Sequence, residues 1–495
     1  MMTRTTDVDL PELSVDPKPR FDLSPYLFMQ FMEPLGTTDG SVEAAWDHQQ
    51  ACWREDVTAV TRELAPPLIR WGGNLSSYYR WREGIGPRHR RRPMHNLTWG
   101  GIESNQVGTH EFVGFCRAVG ADPLLSVNFE SDGRRGWSHP PIGGVRSAGP
   151  QEAAAWVDYC NRPGNAERRA NGAAEPFGVH LWQIGNETSY DAGGFDCETA
   201  ARRTLAFARA MHRADPSIEL IGWGDSGWAP RMIEAAGEHL RYVAIHHFFG
   251  SGLDASPLRG SDWRRDPKLA WRHLMHAHHS LDGKLRTARA QVETSGVCLA
   301  MTEGHFGLPG RNRCDVLSTW AAGVADARLL NVQQRHGDLL KIANLSDFCG
   351  TRWMVNSVMI PTPHGAGRAY LMPVARVTAL YRHHIGTKAL RVTETLDGLD
   401  VVASRRGRRI FLHVVNTNMT RPVRASLRVA GHDLVSGRVF EIVDEPFREI
   451  DETTPELFSP AERPMPIGGR WEFPAASVSA VELQVRPAAA RAERK

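Results

Sequence analysis

From about residue 21 to residue 385, short apolar runs alternate with longer stretches whose apolar residues recur at helical spacing. The runs at 26–31, 68–71, 124–129, 179–184, 218–223, 242–247, 298–302 and 353–359 read as strands. Between them the helical pattern is plain at 109–120, where Phe112, Phe115, Cys116 and Val119 share one face, Thr109 is placed to cap the start and Gly120 to end it. Strand and helix in alternation predict a parallel sheet with helices outside it. Eight such units, with no glycine-rich phosphate loop after the first strand, predict an α/β fold of the (β/α)8 TIM barrel type over residues 21–386. A helix over 370–385 closes the series.

Beyond that helix the pattern changes to short alternating runs, 399–404, 409–415 and 478–485, separated by turn residues. This predicts an antiparallel β-sandwich over 387–488. No exposed aromatic platform shows in the alternation, so its expected role is packing against the barrel. Residues 1–20 are an amino-terminal segment expected to join the sandwich, and 489–495 a disordered tail. Two glycine- or proline-rich stretches interrupt the barrel rhythm. The first, 131–150, follows a strand and overhangs the catalytic face; the second, 162–176, precedes one and belongs to the opposite face.

Composition narrows the function. With 41% hydrophobic and 23% charged residues and no long apolar run, the 495-residue chain reads as globular, with no membrane role. Residues 1–19 lack an apolar signal core, which predicts a cytoplasmic location. The 59 basic and 56 acidic residues nearly cancel, which argues against nucleic acid as a partner. One local exception is Arg88-His89-Arg90-Arg91-Arg92, with the chemistry to grip a phosphate or a uronic acid, although such a run is commonly a solvated loop. The seven cysteines are scattered, with no metal-knuckle or redox spacing, and most read as core fillers; no cofactor is expected.

The chemistry sits at two strand ends. Gly185-Asn186-Glu187 closes the run 179–184, and Glu303 closes 298–302. A carboxyl at the carboxyl end of a parallel strand lies where barrel enzymes build their sites, and two of them are what a retaining glycosidase needs. The alternative is a helix cap at Glu187 and an ordinary loop carboxylate at Glu303.

Further segments carry a resemblance: Phe31-Met32-Glu33-Pro34-Leu35-Gly36, Arg70-Trp71-Gly72-Gly73-Asn74, Trp81-Arg82-Glu83-Gly84-Ile85-Gly86-Pro87, Trp99 with Glu103 and Asn105, Glu111-Phe112 through Cys116, Gly185-Asn186-Glu187, and Ile245-His246-His247. In order and spacing the chain resembles glycoside hydrolase family 51, the retaining α-L-arabinofuranosidases of clan A. The resemblance implies a barrel with an appended β-sandwich, exo-acting hydrolysis of furanosides in oligosaccharide or glycoside substrates, no metal, and a homo-oligomer. It assigns Glu187 as general acid and base, Glu303 as nucleophile, Asn186 to the sugar 2-hydroxyl, and Glu33 and Asn74 to furanose hydroxyls. Trp99 would be an apolar wall, or plain core packing. Arg70 would orient a glutamate, or form a surface ion pair. His247 would hydrogen-bond near the nucleophile, with His246 a satisfied barrel histidine.

The chain also departs from the family pattern. Phe248 and Phe249 stand where a tyrosine usually follows the strand-six histidine, and Thr302-Glu303-Gly304-His305 replaces a pattern closer to Asp-Glu-Trp-Asn. Tyr370 and Met372 fall where a tryptophan and a glutamine are usual near strand eight, and the segment around Arg70 is one residue shorter than the proline-containing form. These changes fall in the sugar pocket and spare both carboxyls, with His305 adding a new polar contact. They leave open a galactofuranoside, β-xyloside or endo-β-glucan specificity, and a carbohydrate-binding protein without turnover.

Overall fold

The computed structural model describes residues 10–190, 193–308, 314–363 and 365–488. The expected tail at 489–495 lies outside the described residues, as does 1–9. The fold is mixed α/β, built on a barrel-like sheet. Its parallel strands are Gln30–Met32, Leu68–Trp71, Asp122–Val127, Leu181–Ile184, Glu219–Trp223, Tyr242–Phe249, Cys298–Phe306 and Leu340–Ala343, each paired with its neighbour in sequence order. The last of them differs from the expectation. Residues 353–359 contain the strand Asn356–Met359, but it pairs outside this series, with Asp347–Gly350 and Tyr370–Leu371.

The eighth position is instead taken by a broken stretch of chain. Leu340–Ala343 pairs with the seventh strand, and Asp347–Gly350 pairs with the first through Asp347 and Phe31. The Met29 N–H also donates to the Ala343 carbonyl at 3.0 Å, which brings the two ends of the sheet together. Tyr370 and Met372 are buried, Tyr370 in the strand Tyr370–Leu371 and Met372 as the residue that caps the helix Pro373–His383.

The elements follow from their residues. The helix Thr109–Val119 buries Phe112, Phe115, Cys116 and Val119 as predicted, and Gly120 ends it at φ 77°. Its cap is Gly108 rather than Thr109: the Glu111 carboxylate turns back to accept the Gly108 N–H. Cys116, Cys160, Cys314 and Cys349 are buried core fillers. The helix Trp320–Arg335 is buried on nearly every side, because the sheet covers one face and a second unit the other.

That second unit is a nine-stranded sheet with its own apolar cluster around Leu13, Ile410, Leu412, Val481 and Leu483. The amino-terminal strand Glu12–Asp16 lies within it, antiparallel to Lys388–Glu394 and parallel to Val423–Val429. It docks through side chains. Trp320 donates to the Ala476 carbonyl at 2.6 Å, and His413 stacks on Tyr381 with ring centroids 3.7 Å apart. Asp400, nearly buried, accepts from Asn331 and Arg328 at 3.0 and 3.1 Å and from Arg335.

Burial alone would push the Asp400 carboxyl up, but Arg335 and Arg328 hold it below the usual carboxylate range. The unfolded chain, with an aspartate pKa of about 3.9, therefore binds the proton more tightly than the fold. The stabilisation is full above about pH 4 and is lost as the pH falls below it. Asp400→Ala is expected to cost about 2 kcal/mol at neutral pH by leaving two arginines without their acceptor. Chemical denaturation would read this, and an unchanged midpoint would count against the docking role.

Candidate active site

Arg70 is the hub. It leaves the second strand with its side chain fully buried, under the Phe31 ring at 4.7 Å. One guanidinium nitrogen donates to Glu303 Oε1 at 2.7 Å, another to Asn186 Oδ1 at 2.6 Å, and Nε to Ser126 Oγ at 3.3 Å. One side chain thus ties together the ends of the second, third, fourth and seventh strands. The surface ion pair is excluded by this burial, and the planar fork suits the task better than a lysine would.

Glu187 and Glu303 meet across the sheet. A carboxylate oxygen of each, together with a ring nitrogen of His246, lies within 4.8 Å of the others. Three such atoms could also hold a divalent cation. Burial pushes the Glu303 carboxyl upward, while the guanidinium of Arg70 pulls it down. On balance the Glu303 carboxyl lies above the usual range, and the direct bond from Arg70 limits that rise.

The Glu187 turn is built for its place. Gly185 has φ 85° and Glu187 itself φ 50°, a left-handed conformation that a non-glycine residue adopts only when its surroundings hold it there. Asp132, just beyond the third strand, does this by accepting from the Asn186 N–H at 3.3 Å and from the Thr188 and Ser77 hydroxyls at 2.5 Å each. Arg134 donates to the Glu187 carbonyl at 2.6 Å. The 131–150 stretch therefore begins at the site, as its position after a strand predicted.

The histidine beside the carboxyls is His246, not His247. His246 Nδ1 is 3.1 Å from Glu187 Oε1 and 3.5 Å from Glu303 Oε2, and its Nε2 is 3.0 Å from the Thr302 hydroxyl. Burial lowers its pKa to about 4, so the ring is neutral at neutral pH. It stands edge-on to Trp223 at 4.7 Å. The backbone N–H of His246 and the Tyr190 hydroxyl both donate to Asp225, which Lys284 neutralises. His247 turns outward and bonds Ser280 at 2.8 Å. Adjacent residues of a strand face opposite sides, and the extra residue Thr302 in the seventh strand sets Glu303 opposite His246.

Glu33 is buried and accepts the Asn74 N–H at 2.8 Å, with the Trp99 side chain beside it. Burial, with the charge of Glu303 adding to it, pushes the Glu33 carboxyl well above the usual range. Gly73, at φ 79°, leaves room for that carboxylate, which a Cβ would overlap. Trp99 is half-buried and packs edge-on against Trp353 at 5.0 Å, so it is both wall and packing. The Nδ2 of Asn186 is buried and donates to nothing among the described residues. His305 lies two residues past Glu303, half-buried against Phe248 at 4.7 Å, with its Nδ1 donating to the Phe306 carbonyl. It does not touch the carboxyl pair.

Sequence reasoning missed Asp347, Asp132 and Asp225. Asp347 is buried, and both burial and the neighbouring charge of Glu303 push its carboxyl well up. It also acts on Glu33, so a further acid joins the pocket from the broken eighth strand. Asp132 and Asp225 follow the carboxyl end of a strand, the signal that marked Glu187, whereas Asp347 opens the strand Asp347–Gly350.

Residues 60–253 match the alpha-L-arabinofuranosidase 1 domain. The chain is 33% identical over 214 residues to an intracellular exo-alpha-(1->5)-L-arabinofuranosidase of Acetivibrio thermocellus, a segment covering 40% of this chain and 39% of that protein. It is 32% identical over 263 residues to an exo-alpha-(1->6)-L-arabinofuranosidase of Bifidobacterium longum, covering 48% and 47%. The chain thus spans less than half the length of the relatives it matches. The fold is similar to that of the alpha-L-arabinofuranosidase from Thermotoga maritima in its arabinose complex, with a TM-score of 0.77 at 22% identity over 95% of this chain and 99% of that one. Residues 60–253 thus carry an alpha-L-arabinofuranosidase 1 domain, within a chain whose fold is similar to that of solved family 51 arabinofuranosidases.

Proposed function

We propose that the protein is a retaining exo-glycoside hydrolase that removes non-reducing terminal α-L-arabinofuranosyl groups by double displacement. The observation that carries this is the Glu187–Glu303 pair, whose oxygens approach within 4.8 Å. Retaining enzymes hold their carboxyls about 5 Å apart, whereas inverting ones leave about 6.5–9.5 Å for a water molecule. The Glu303 carboxylate, held by Arg70, attacks the anomeric carbon while Glu187 gives its proton to the departing oxygen. The covalent glycosyl-enzyme then forms with Glu303. Glu187, now a carboxylate, takes a proton from water, whose oxygen displaces Glu303 and releases the sugar.

Neutral His246 keeps hydrogen bonds near both carboxyls without adding a charge. The unpartnered Asn186 Nδ2 suits the 2-hydroxyl, where a bond strengthens as the transition state gathers charge. Glu33, Asn74 and Trp99 line the rest of the sugar site. The organisation that goes with this reading is a (β/α)8 barrel over 21–386 and a β-sandwich over 387–488, completed by the amino-terminal segment 1–20. A cytoplasmic location and a homo-oligomer are part of the same proposal, and no helix among the described residues is long and apolar enough to cross a membrane.

A second reading keeps the mechanism and changes the sugar. Phe248 and Gly304 stand where the family pattern has polar or aromatic groups, and Asp347 places an acid near Glu33 and Glu303. Turnover of a panel of aryl glycosides, α-L-arabinofuranoside, β-D-galactofuranoside, β-D-xyloside and β-D-glucoside, decides between them. Highest kcat/KM on the arabinofuranoside is the expected result; a different leader keeps the two glutamates and replaces the specificity, and silence across the panel overturns the exo-hydrolase. Asp347→Asn is expected to change the ratio between the two furanosides by about 1–3 kcal/mol, the cost of an unmatched buried polar group. An unchanged ratio would place Asp347 outside the sugar's reach.

A further inference from the structure

A cavity of ≈ 590 Å³ lies apart from the carboxyl pair, between the segment 82–97 that follows the second strand and residues 140–146 of the loop after the third. Both walls follow carboxyl ends of strands, so the cavity opens beside the catalytic face. Five arginines line it, Arg82, Arg90, Arg91, Arg92 and Arg146, with Glu83 the one acid in the lining. Two of them are fixed. Arg91 forks onto Glu111 at 2.9 and 3.0 Å and onto the Gly86 carbonyl, and Arg146 forks onto Glu83 at 2.9 and 3.0 Å while reaching the Tyr78 carbonyl.

Arg90 and Arg92 differ. Both are exposed, and neither side chain has a hydrogen-bond or ion-pair partner among the described residues. Arg82 lies over the Trp81 ring and holds Glu167 only at 3.3 and 3.4 Å. The fixed arginines, each neutralised by a glutamate, keep the wall rigid, and the unpaired ones carry its net positive charge and are free to fork onto an anion. Ile142, 61% exposed at the mouth, and half-buried Leu97 add apolar surface of the kind that packs on a sugar face. The wall is also coupled to the sugar site: Asn96, next to His95 of the lining, accepts the Trp99 N–H at 2.8 Å, and Trp99 flanks Glu33.

We propose that this pocket binds the carboxylate of a uronic acid in the leaving-group part of the substrate, making the preferred substrate an arabinofuranosylated acidic oligosaccharide. This rests on the arabinofuranosidase reading above and adds the class of glycan to it. Arg90 and Arg92 form the charge-assisted bonds, with Arg82 behind them.

The test compares an arabinofuranosylated oligosaccharide carrying a uronic acid with the same oligosaccharide after its carboxyl is reduced to an alcohol, using wild type and the double variant Arg90→Ala, Arg92→Ala. A neutral aryl α-L-arabinofuranoside, too short to enter the pocket, serves as the third substrate. Wild type is expected to favour the acidic oligosaccharide in kcat/KM on the order of tenfold, about 1.4 kcal/mol. The double variant should abolish that preference and keep the aryl rate. Equal rates on the two oligosaccharides in wild type, or an undiminished preference in the variant, overturn the proposal while an intact aryl rate keeps the hydrolase. Without aryl turnover it is the hydrolase reading that fails, and calorimetry with a free digalacturonate then reads the pocket: binding lost in the double variant supports an acidic saccharide, and no binding overturns it. Inorganic phosphate binding more tightly than digalacturonate, without effect on the preference, would assign the pocket to a free anion and overturn it as a substrate site.

Discussion

Glu303→Ala is expected to lower turnover of an aryl α-L-arabinofuranoside by roughly 10⁴-fold or more, since the nucleophile forms the bond on which both steps depend. Glu187→Ala should behave differently. Loss of an acid and base costs about 10²–10⁴-fold, and most of the first-step loss disappears with a leaving group too acidic to need a proton. Azide separates the two roles. In Glu187→Ala it attacks the glycosyl-enzyme in place of activated water and gives a glycosyl azide of retained configuration. In Glu303→Ala it enters the space left by the carboxylate and gives the inverted one. The opposite pairing of variant and product would exchange the roles, and substantial hydrolysis by Glu303→Ala would end the proposed mechanism.

Removal of Arg70 should be the most damaging change outside the two glutamates. Arg70→Ala leaves Glu303 buried without its cation and Asn186 Oδ1 without its donor. Breaking a buried pair from one side costs about 3–5 kcal/mol, so a melting temperature lower by roughly 3–5 °C is expected for a chain of this size. The more specific readout is pH. Burial raises the Glu303 carboxyl above the usual range and the guanidinium limits that rise, so without it the carboxylate takes up a proton at still higher pH. The acid limb of kcat/KM should therefore move to higher pH. Arg70→Lys keeps the charge and loses the fork, so it should restore part of the limb's position while leaving Asn186 unsupported. An acid limb that stays in place in Arg70→Ala would mean that Arg70 serves the fold alone.

The positioning side chains explain the sensitivity expected of this site. Glu187 occupies a left-handed backbone conformation held by Asp132 and Arg134. His246 is positioned by Trp223, Thr302 and Asp225. Carboxyls within 4.8 Å of each other are costly to bury, and the groups around them keep them there with one arginine charge and several neutral donors.

The sequence by itself determined the alternation of strand and helix, the alternating β pattern beyond residue 387, and the two carboxyls proposed to react. Strand periodicity is local, and a glutamate just past an apolar run needs no partner to reveal its place. It also carried Arg70, Asn186, Glu33, Asn74 and Trp99, through motifs whose spacing survives in the chain. Only the tertiary structure decided between His246 and His247, because adjacent residues face opposite sides of a strand and the pairing that sets Glu303 opposite His246 passes over Thr302 in the seventh strand. Only closure of the sheet showed the eighth strand to be the broken stretch from Leu340 to Gly350, since neither half is long or apolar enough to stand out and each pairs with a different neighbour. With it came Asp347 beside Glu33 and Glu303. The arginine pocket belongs to the same class: a basic run is legible in sequence, but which of its charges are already paired depends on Glu111 and Glu83, which folding brings to them.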